Sequence, residues 1–125
     1  ALCIFLVRNG KSKEDIKNTV EAKFGYNLNF TCDGIRDTYQ WDATCQGTVP
    51  QAIRAFLDGT DFEDCIRTAI SLGGDSDTLA CITGSIAEAF YGIPPALHAQ
   101  AMLYLPAHFQ QIVTEFEGKF GPDIR

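Results

Sequence analysis

Apolar residues recur at helical spacing along most of the chain, and no stretch of strand length alternates between apolar and polar residues. Ile16, Val20 and Phe24 lie four residues apart and mark one face of a helix. Ser12 before them suits a helix N-cap, and Gly25 after them suits a helix end. The pattern predicts an all-α fold, a compact bundle of about six helices.

Two further helices are predicted in the middle of the chain. Pro50 suits the first position of a helix, and Gly59 suits its end. Asp61 is placed to cap the next helix, and the double glycine Gly73-Gly74 ends it. That helix carries an apolar stripe at helical spacing, formed by Phe62, Cys65, Ile66, Ala69 and Ile70.

A more apolar helix is predicted to begin near Asp75–Asp77 and to run to Tyr91, with Gly92 closing it. Its middle, Leu79–Ala89, carries one charge, on Glu88. Because a helix that is apolar on every side is typical of a buried one, we expect neighbours all round it.

Prolines separate the last two predicted helices. Pro94-Pro95 opens a short helix to about Leu105, and Pro106 opens the final one. The apolar residues of the final helix recur at helical spacing, which predicts that they face inward. They are Phe109, Ile112, Val113, Phe116 and Phe120.

Residues 26–47 are irregular and long for a structureless loop, which favours partial order or a functional role. A short helix is expected around Ile35–Tyr39. Aromatic residues in the following loop have two interpretations. Tyr39 and Trp41 either stack on a bound adenine or anchor the loop in the core, and for Trp41 we expect the core. Thr48 ends this loop and is a candidate for contact with a ligand.

The charge balance and the cysteines narrow the function classes. Sixteen Asp and Glu against ten Lys and Arg give a net charge of −6 with no basic stripe, which argues against nucleic-acid binding. The five cysteines form no Cys-x-x-Cys pair, which indicates buried free thiols in a reducing cytoplasm. The apolar opening Ala1–Val7 is too short to span a membrane and lacks a signal-peptide pattern.

The informative chemistry lies in residues 73–78, Gly-Gly-Asp-Ser-Asp-Thr. Such hard oxygen donors suit magnesium, manganese or calcium rather than zinc. Residues i and i+2 of a regular helix point about 200° apart, so Asp75 and Asp77 share a cation only if Asp75 precedes the helix. Thr78 or Ser76 would then add a hydroxyl oxygen.

The purely structural interpretation of this cluster is a helix cap, because Asp and Ser often cap helices and acids complement the helix dipole. Two acids leading into an apolar helix favour a cation, since unpaired buried carboxylates are costly. From the residues alone the cap and the cation site remain equally open. An EF-hand loop is excluded because Ala80 stands where that loop needs glycine, and a P-loop is excluded by the missing Gly-Lys-Ser/Thr.

The run Ala69–Thr78, Ala-Ile-Ser-Leu-Gly-Gly-Asp-Ser-Asp-Thr, closely resembles the C-terminal signature of the ADP-ribosylglycohydrolase family. That family includes the dinitrogenase-reductase-activating glycohydrolases. Tyr91-Gly92 and Ile93-Pro94 continue the resemblance, and Thr48–Leu57 resembles the family's helix before the signature. The resemblance is strongest over Cys45–Pro94.

The resemblance implies a helical fold with a binuclear magnesium site, for which manganese is an alternative. Asp75, Asp77 and Thr78 match the family's C-terminal metal ligands, with Asp77 in the bridging position. The implied reaction is hydrolysis of the glycosidic bond between ADP-ribose and an acceptor side chain. The implied partner is an ADP-ribosylated protein or an ADP-ribose-type small molecule. Thr48 and Gly74 are expected to contact the substrate, and no catalytic residue is assigned.

The sequence also departs from the family. Members carry a second acidic motif, such as Thr-Asp-Asp-Thr, in an N-terminal half, and this chain has no adjacent Asp-Asp pair. We therefore expect residues 1–125 to form a single domain or the C-terminal half of the family's domain, from a fragment, a split protein or a degenerate relative. Apolar faces left open would favour the missing half or self-association. The alternative function is an inactive ADP-ribose-binding or structural relative.

Four further residues have reactive side chains: Cys45, His98, His108 and Glu88. Cys45 has no histidine nearby in the sequence to activate it as a nucleophile. His98 and His108 come well after the motif and are expected at the surface or in packing. Glu88 follows the motif by about three turns, and we expect it to pair with a neighbouring helix.

Overall fold

The computed structural model describes residues 1–120, and these form eight α-helices and no strand. The helices are α1 (Leu2–Arg8), α2 (Lys13–Phe24), α3 (Cys32–Ile35), α4 (Cys45–Asp58), α5 (Phe62–Ser71), α6 (Ser76–Tyr91), α7 (Pro95–Leu103) and α8 (Ala107–Phe120). The all-α prediction is confirmed, the number of helices exceeds the expected six, and α1 is the helix that no predicted helix matches.

The chain divides into two compact units, Ala1–Gly92 and Ile93–Arg125. In the first unit α6 is the central helix, because it packs against α1, α4 and α5. The core lies in two clusters along α6. One is built around Ile16, Phe56 and Ile86, and the other contains small side chains, Cys32, Ala52, Ala55 and Ala69, with Leu72 and Leu79.

Side-chain caps define where four of these helices begin. At each start a side-chain oxygen accepts a hydrogen bond from the amide three residues later. The four residues are Ser12, Thr31, Thr44 and Asp61. At α2 the cap is reciprocal, because Asp15 also accepts a hydrogen bond from the amide of Ser12 at 3.0 Å. The predicted caps at Ser12 and Asp61 are confirmed.

Two predicted helix positions are wrong. Pro50 lies inside α4 rather than at its start, because Thr44 caps the helix through the amide of Gly47 at 3.1 Å. A proline there costs α4 one internal hydrogen bond, which the packed helix tolerates. The short helix predicted around Ile35–Tyr39 lies earlier, at Cys32–Ile35, because Thr31 caps it through the amide of Gly34.

Helix α6 is not buried on every side, so that expectation is also wrong. Its buried residues are Leu79, Thr83, Ile86 and Ala87. Within the first unit its neighbours cover this one side. An exposed stripe follows the other side at helical spacing, and we call it the open face of α6: Asp77, Thr78, Cys81, Ser85 and Glu88.

The apolar opening of the chain forms α1, which packs against α2 and α6. Cys3 is buried there, whereas Phe5 is 62% exposed. An apolar cavity of about 270 Å³ lies beside α1, lined among others by Val20, Ile53 and Ile82. Across residues 1–120, no helix has both the length and the apolar character needed to cross a lipid bilayer.

In the second unit α7 and α8 contain no buried residue. Four of the apolar residues predicted to face inward are about half exposed: Phe109, Ile112, Phe116 and Phe120. That prediction is wrong for them, because two helices alone offer too little surface to cover an apolar stripe. The side chains of His98 and Glu117 meet at 2.7 Å within this unit.

All five cysteines are free thiols, but only three are buried as predicted. Cys3, Cys32 and Cys65 lie in the core, and burial raises the pKa of all three, to about 12 for Cys32 and about 11 for Cys65. Cys45 and Cys81 are exposed. Cys81 lies on the open face of α6, and Cys45 on the first turn of α4, where the core does not reach.

Candidate functional site

The connection between α5 and α6 is a tight glycine turn. Gly73 and Gly74 both have positive φ, 70° and 61°, a backbone region that disfavours other residues. The amide of Gly73 still closes the end of α5 by donating to the carbonyl of Ile70 at 3.0 Å. The chain therefore reverses within two residues and brings Asp75 directly to the start of α6.

Asp75 is the N-cap residue of α6, yet its side chain makes no capping hydrogen bond. Its φ and ψ are −82° and 63°, outside the extended region that N-cap residues usually occupy. The Asp75 carbonyl accepts the first helical bond, from the amide of Leu79 at 3.0 Å. The cap interpretation therefore describes the backbone of Asp75 and leaves its carboxyl free for another role.

The carboxyl groups of Asp75 and Asp77 lie within hydrogen-bonding reach of each other. Hydrogen bonding with the Asp75 carboxyl, and then with the amides of Thr78 and Asp77 itself, holds the pKa of Asp77 below its ordinary value of 3.8. Asp77 is exposed and Asp75 half-buried. The start of α6 therefore presents two converging carboxyl groups to solvent, with helix amides beneath them.

The hydroxyl candidates flank this pair. Thr78 is exposed at the third position of α6, and Ser76 is half-buried at the first. Two carboxylates and one hydroxyl suit a hard cation such as Mg²⁺. Among residues 1–120, no group of three or more His, Cys, Asp or Glu side chains could hold a metal ion. The cluster thus supplies part of the roughly six oxygens that Mg²⁺ takes.

A loop lies directly against the glycine turn. A methyl group added at Gly74 would stand 2.9 Å from Cε1 of Tyr39 and 3.3 Å from Cα of Trp41. Burial raises the pKa of Tyr39, and the negative charges of Asp42 and Asp75 raise it further. The loop residues that the sequence singled out are therefore brought beside the carboxyl pair.

Short hydrogen bonds hold this loop in shape. The hydroxyl of Tyr39 donates to the carbonyl of Gly47 at 2.9 Å, and the hydroxyl of Thr48 donates to the carbonyl of Asp42 at 2.8 Å. Asp42 also accepts from the amide of Thr44 at 2.7 Å. Sequence reasoning missed the bracing role of Asp42, although Asp-x-Thr is a recognisable turn signal.

The expectation that Trp41 anchors the loop in the core is wrong, because its side chain is 68% exposed. Tyr39 takes that role instead, since it packs against the small-residue cluster of Cys32, Ala52 and Leu79. Thr48 is buried at 4% exposure, with its hydroxyl engaged inside the loop. Gly74, by contrast, is exposed beside the carboxyl groups.

The other reactive candidates do not join this cluster. His98 belongs to the second unit and pairs with Glu117, as expected of a surface residue. His108 lies in the same unit beside Phe109. Glu88 is exposed near the end of α6 rather than paired with a neighbouring helix among the described residues.

The fold and the site define an all-α protein with an open carboxylate pair at the start of its central helix. A family model described as ADP-ribosylglycohydrolase matches residues 7–120, and the chain belongs to this family. Membership confirms the resemblance seen in the sequence and places the chain among the hydrolases. A search of curated proteins and a search of solved structures each found no match.

Proposed function

We propose that this chain contributes Asp75, Asp77 and Thr78 to the magnesium-dependent hydrolysis of the glycosidic bond between ADP-ribose and an acceptor side chain. The observation that carries the proposal is the convergence of the Asp75 and Asp77 carboxyl groups at the start of α6. Family membership supports the reaction class.

The donor set matches the proposed cation. Carboxylate and hydroxyl oxygens are the ligands that Mg²⁺ and Mn²⁺ prefer. When bound, two such ions orient substrate hydroxyls and activate water. The chain's own contribution is to hold its oxygens in place, because the glycine turn sets Asp75 ahead of the helix and the first turn of α6 sets Asp77 and Thr78.

The remaining ligands are assigned to an N-terminal part of the family's domain. The described residues bring only two carboxylates together here, whereas two ions need more. The open face of α6 begins at Asp77 and Thr78, so a partner segment lying along it would deliver acids next to the pair. On this proposal residues 1–125 act as a C-terminal half, and the N-terminal part covers the exposed apolar residues. The alternative is that two copies of this chain associate and cover them.

Two substrate contacts complete the proposal. Gly74 is exposed next to the carboxyl groups, so its backbone is available to a ligand. Thr48 is buried, so it would act through the loop that its hydroxyl braces. The substrate is an ADP-ribosylated protein or an ADP-ribose-type small molecule.

The alternative is a relative that binds ADP-ribose or plays a structural role without hydrolysing a bond. A different observation favours it, because the described residues gather no third acidic side chain at the pair. The two functions differ in one measurable respect. An inactive relative would bind ADP-ribose in calorimetry even as part of a longer protein, yet would release none from a modified substrate.

The test compares release of ADP-ribose from a modified protein, with magnesium, by the 125-residue chain and by a longer protein that includes the N-terminal part. We expect turnover only by the longer protein. Asp77→Ala should reduce it by about 100-fold or more, since even groups behind the metal ligands matter by about 10- to 100-fold. Glu14→Ala removes the same charge from an exposed site on α2 and should leave the rate unchanged.

Three results would contradict the proposal. Robust turnover by the 125-residue chain alone would show that no second half is needed. Full activity of the longer protein after Asp77→Ala would remove Asp77 from the site. Binding of ADP-ribose without turnover by the longer protein would favour the inactive relative.

A further inference from the structure

Trp41 occupies the rim of the candidate site rather than the core. Its side chain is 68% exposed, and its Cα lies against the glycine turn, 3.3 Å from where a Cβ on Gly74 would stand. Gly74 directly precedes Asp75, the first of the two converging carboxyl groups. A large apolar ring is thus exposed to solvent on a loop that contacts the residue directly before the carboxyl pair.

The backbone beneath this indole is fixed on both sides. Tyr39 is tied to Gly47, and the Asp42 carbonyl accepts the hydroxyl of Thr48. Gly47 keeps the loop closed, because a methyl group there would stand 2.0 Å from a carboxylate oxygen of Asp42. An aromatic ring presented from a braced loop loses little conformational freedom when a ligand packs on it.

The charge of the site decides what kind of contact is useful there. Asp75 and Asp77 offer charged oxygens that, on the proposed function, hold a cation beside the ribose and phosphates of the ligand. Stacking between an aromatic side chain and a nucleobase needs no charge and tolerates variation in the ligand. The indole therefore offers affinity for the uncharged end of the ligand.

We propose that Trp41 is a binding residue that stacks on the adenine base of an ADP-ribose-type ligand held at the carboxyl pair. The inference rests on the proposed function, because that function supplies the ligand class. It assigns to this loop the recognition of the nucleotide end, while Asp75 and Asp77 serve the ribose end.

The composition of the chain makes the test direct, because Trp41 is the single tryptophan among 125 residues. Its indole N–H gives one signal in a proton–nitrogen correlation spectrum. The 125-residue chain is titrated with ADP-ribose in magnesium, and in parallel with ribose 5-phosphate, which lacks the base. We expect the indole signal to shift with ADP-ribose and to stay in place with ribose 5-phosphate.

Variants measure how much the ring contributes. Trp41→Ala should weaken ADP-ribose binding by about tenfold, read from the amide signals of Gly74–Thr78, because base stacking on a side chain is worth about that factor. Trp41→Phe should recover part of the loss. Phe5→Ala removes another exposed aromatic ring, on α1, and should change nothing.

The outcomes separate this inference from the proposed function. If the amides of Gly74–Thr78 shift while the indole signal does not, the stacking is overturned and the site stands. If ribose 5-phosphate moves the indole as much as ADP-ribose does, contact with the base is overturned. If millimolar ADP-ribose moves no signal at all, the stacking by this chain is overturned, whereas the proposed function is decided separately by the turnover of the longer protein.

Discussion

Helices α5 and α6 each begin at an aspartate, and the two aspartates behave differently. At α5 the carboxylate of Asp61 accepts a hydrogen bond from the amide of Asp64 at 2.8 Å. Its backbone is extended, with φ −149° and ψ −178°, as a capping residue requires. At α6, Asp75 has ψ of 63° and its carboxyl turns to Asp77 instead.

The difference comes from the residues before each aspartate. Gly59 and Thr60 bring the chain into α5 without positive φ, whereas Gly73 and Gly74 both adopt it before α6. A left-handed pair changes the direction from which the chain enters the helix. The same residue type at the same helix position is therefore a cap in one place and a candidate ligand in the other, and backbone geometry decides which.

Among substitutions at the starts of α5 and α6, Gly74→Ala should lower the free energy of unfolding the most. Alanine at φ 61° is strained, and its methyl group would lie 2.9 Å from the Tyr39 ring. We expect a loss of about 2 to 4 kcal/mol in the free energy of unfolding, the strain and the crowding combined. Urea unfolding followed by circular dichroism measures it.

Gly73→Ala is the matched control. Gly73 has a similar φ of 70°, but nothing lies within 4 Å of an added methyl group. This variant should lose about 1 to 2 kcal/mol in the free energy of unfolding, because it suffers the backbone strain without the crowding. Equal losses of unfolding free energy for the two variants would mean that the loop around Tyr39 does not crowd the added methyl group at position 74.

Removing each aspartate in turn should give the next largest effect. Asp61→Ala deletes a capping bond and should cost about 1 kcal/mol of unfolding free energy. Asp75→Ala deletes no capping bond and should change stability by less than about 0.5 kcal/mol. Thermal unfolding of both variants checks the order, and a larger cost for Asp75→Ala would show that its carboxyl caps α6 after all.

A smaller effect concerns pH at α2, where a carboxylate does take part in a cap. Hydrogen bonds from the Ser12 side chain and then the Ser12 amide hold the pKa of Asp15 below its ordinary 3.8. A lowered folded-state pKa adds stability that is complete above pH 3.8 and is lost as pH falls through the folded value. Carbon NMR titration should show this low pKa, and Ser12→Ala should move it up towards 3.8. An unchanged pKa would contradict the cap as its cause.

Local signals in the sequence were sufficient for the parts of the fold that depend on neighbouring residues. Gly25, Gly59 and Gly92 end α2, α4 and α6 where they were expected to. The placement of Asp75 before α6, with Asp77 in its first turn, was likewise predictable from the glycines. Each of these features involves a few consecutive residues, so a pattern along the chain captures it.

Features set by distant contacts could not be predicted in this way. Trp41 is exposed because Tyr39 fills the space against the core and the loop rests on Gly74, more than thirty positions away in the sequence. The open face of α6 reflects which helices pack beside it, which composition does not encode. The start of α4 at Cys45 was hidden because Gly47, usually a breaker, lies inside its first turn.

Because the five thiols are unequally buried, they should react with an alkylating reagent at different rates, and these rates report on local opening of the fold. A small alkylating reagent should modify Cys45 and Cys81 at once, because both are exposed. Cys3, Cys32 and Cys65 should react only when the first unit opens, since burial both shields them and raises the pKa of their thiols. Mass spectrometry of the slow labels would then time local opening around each thiol separately, without any added probe.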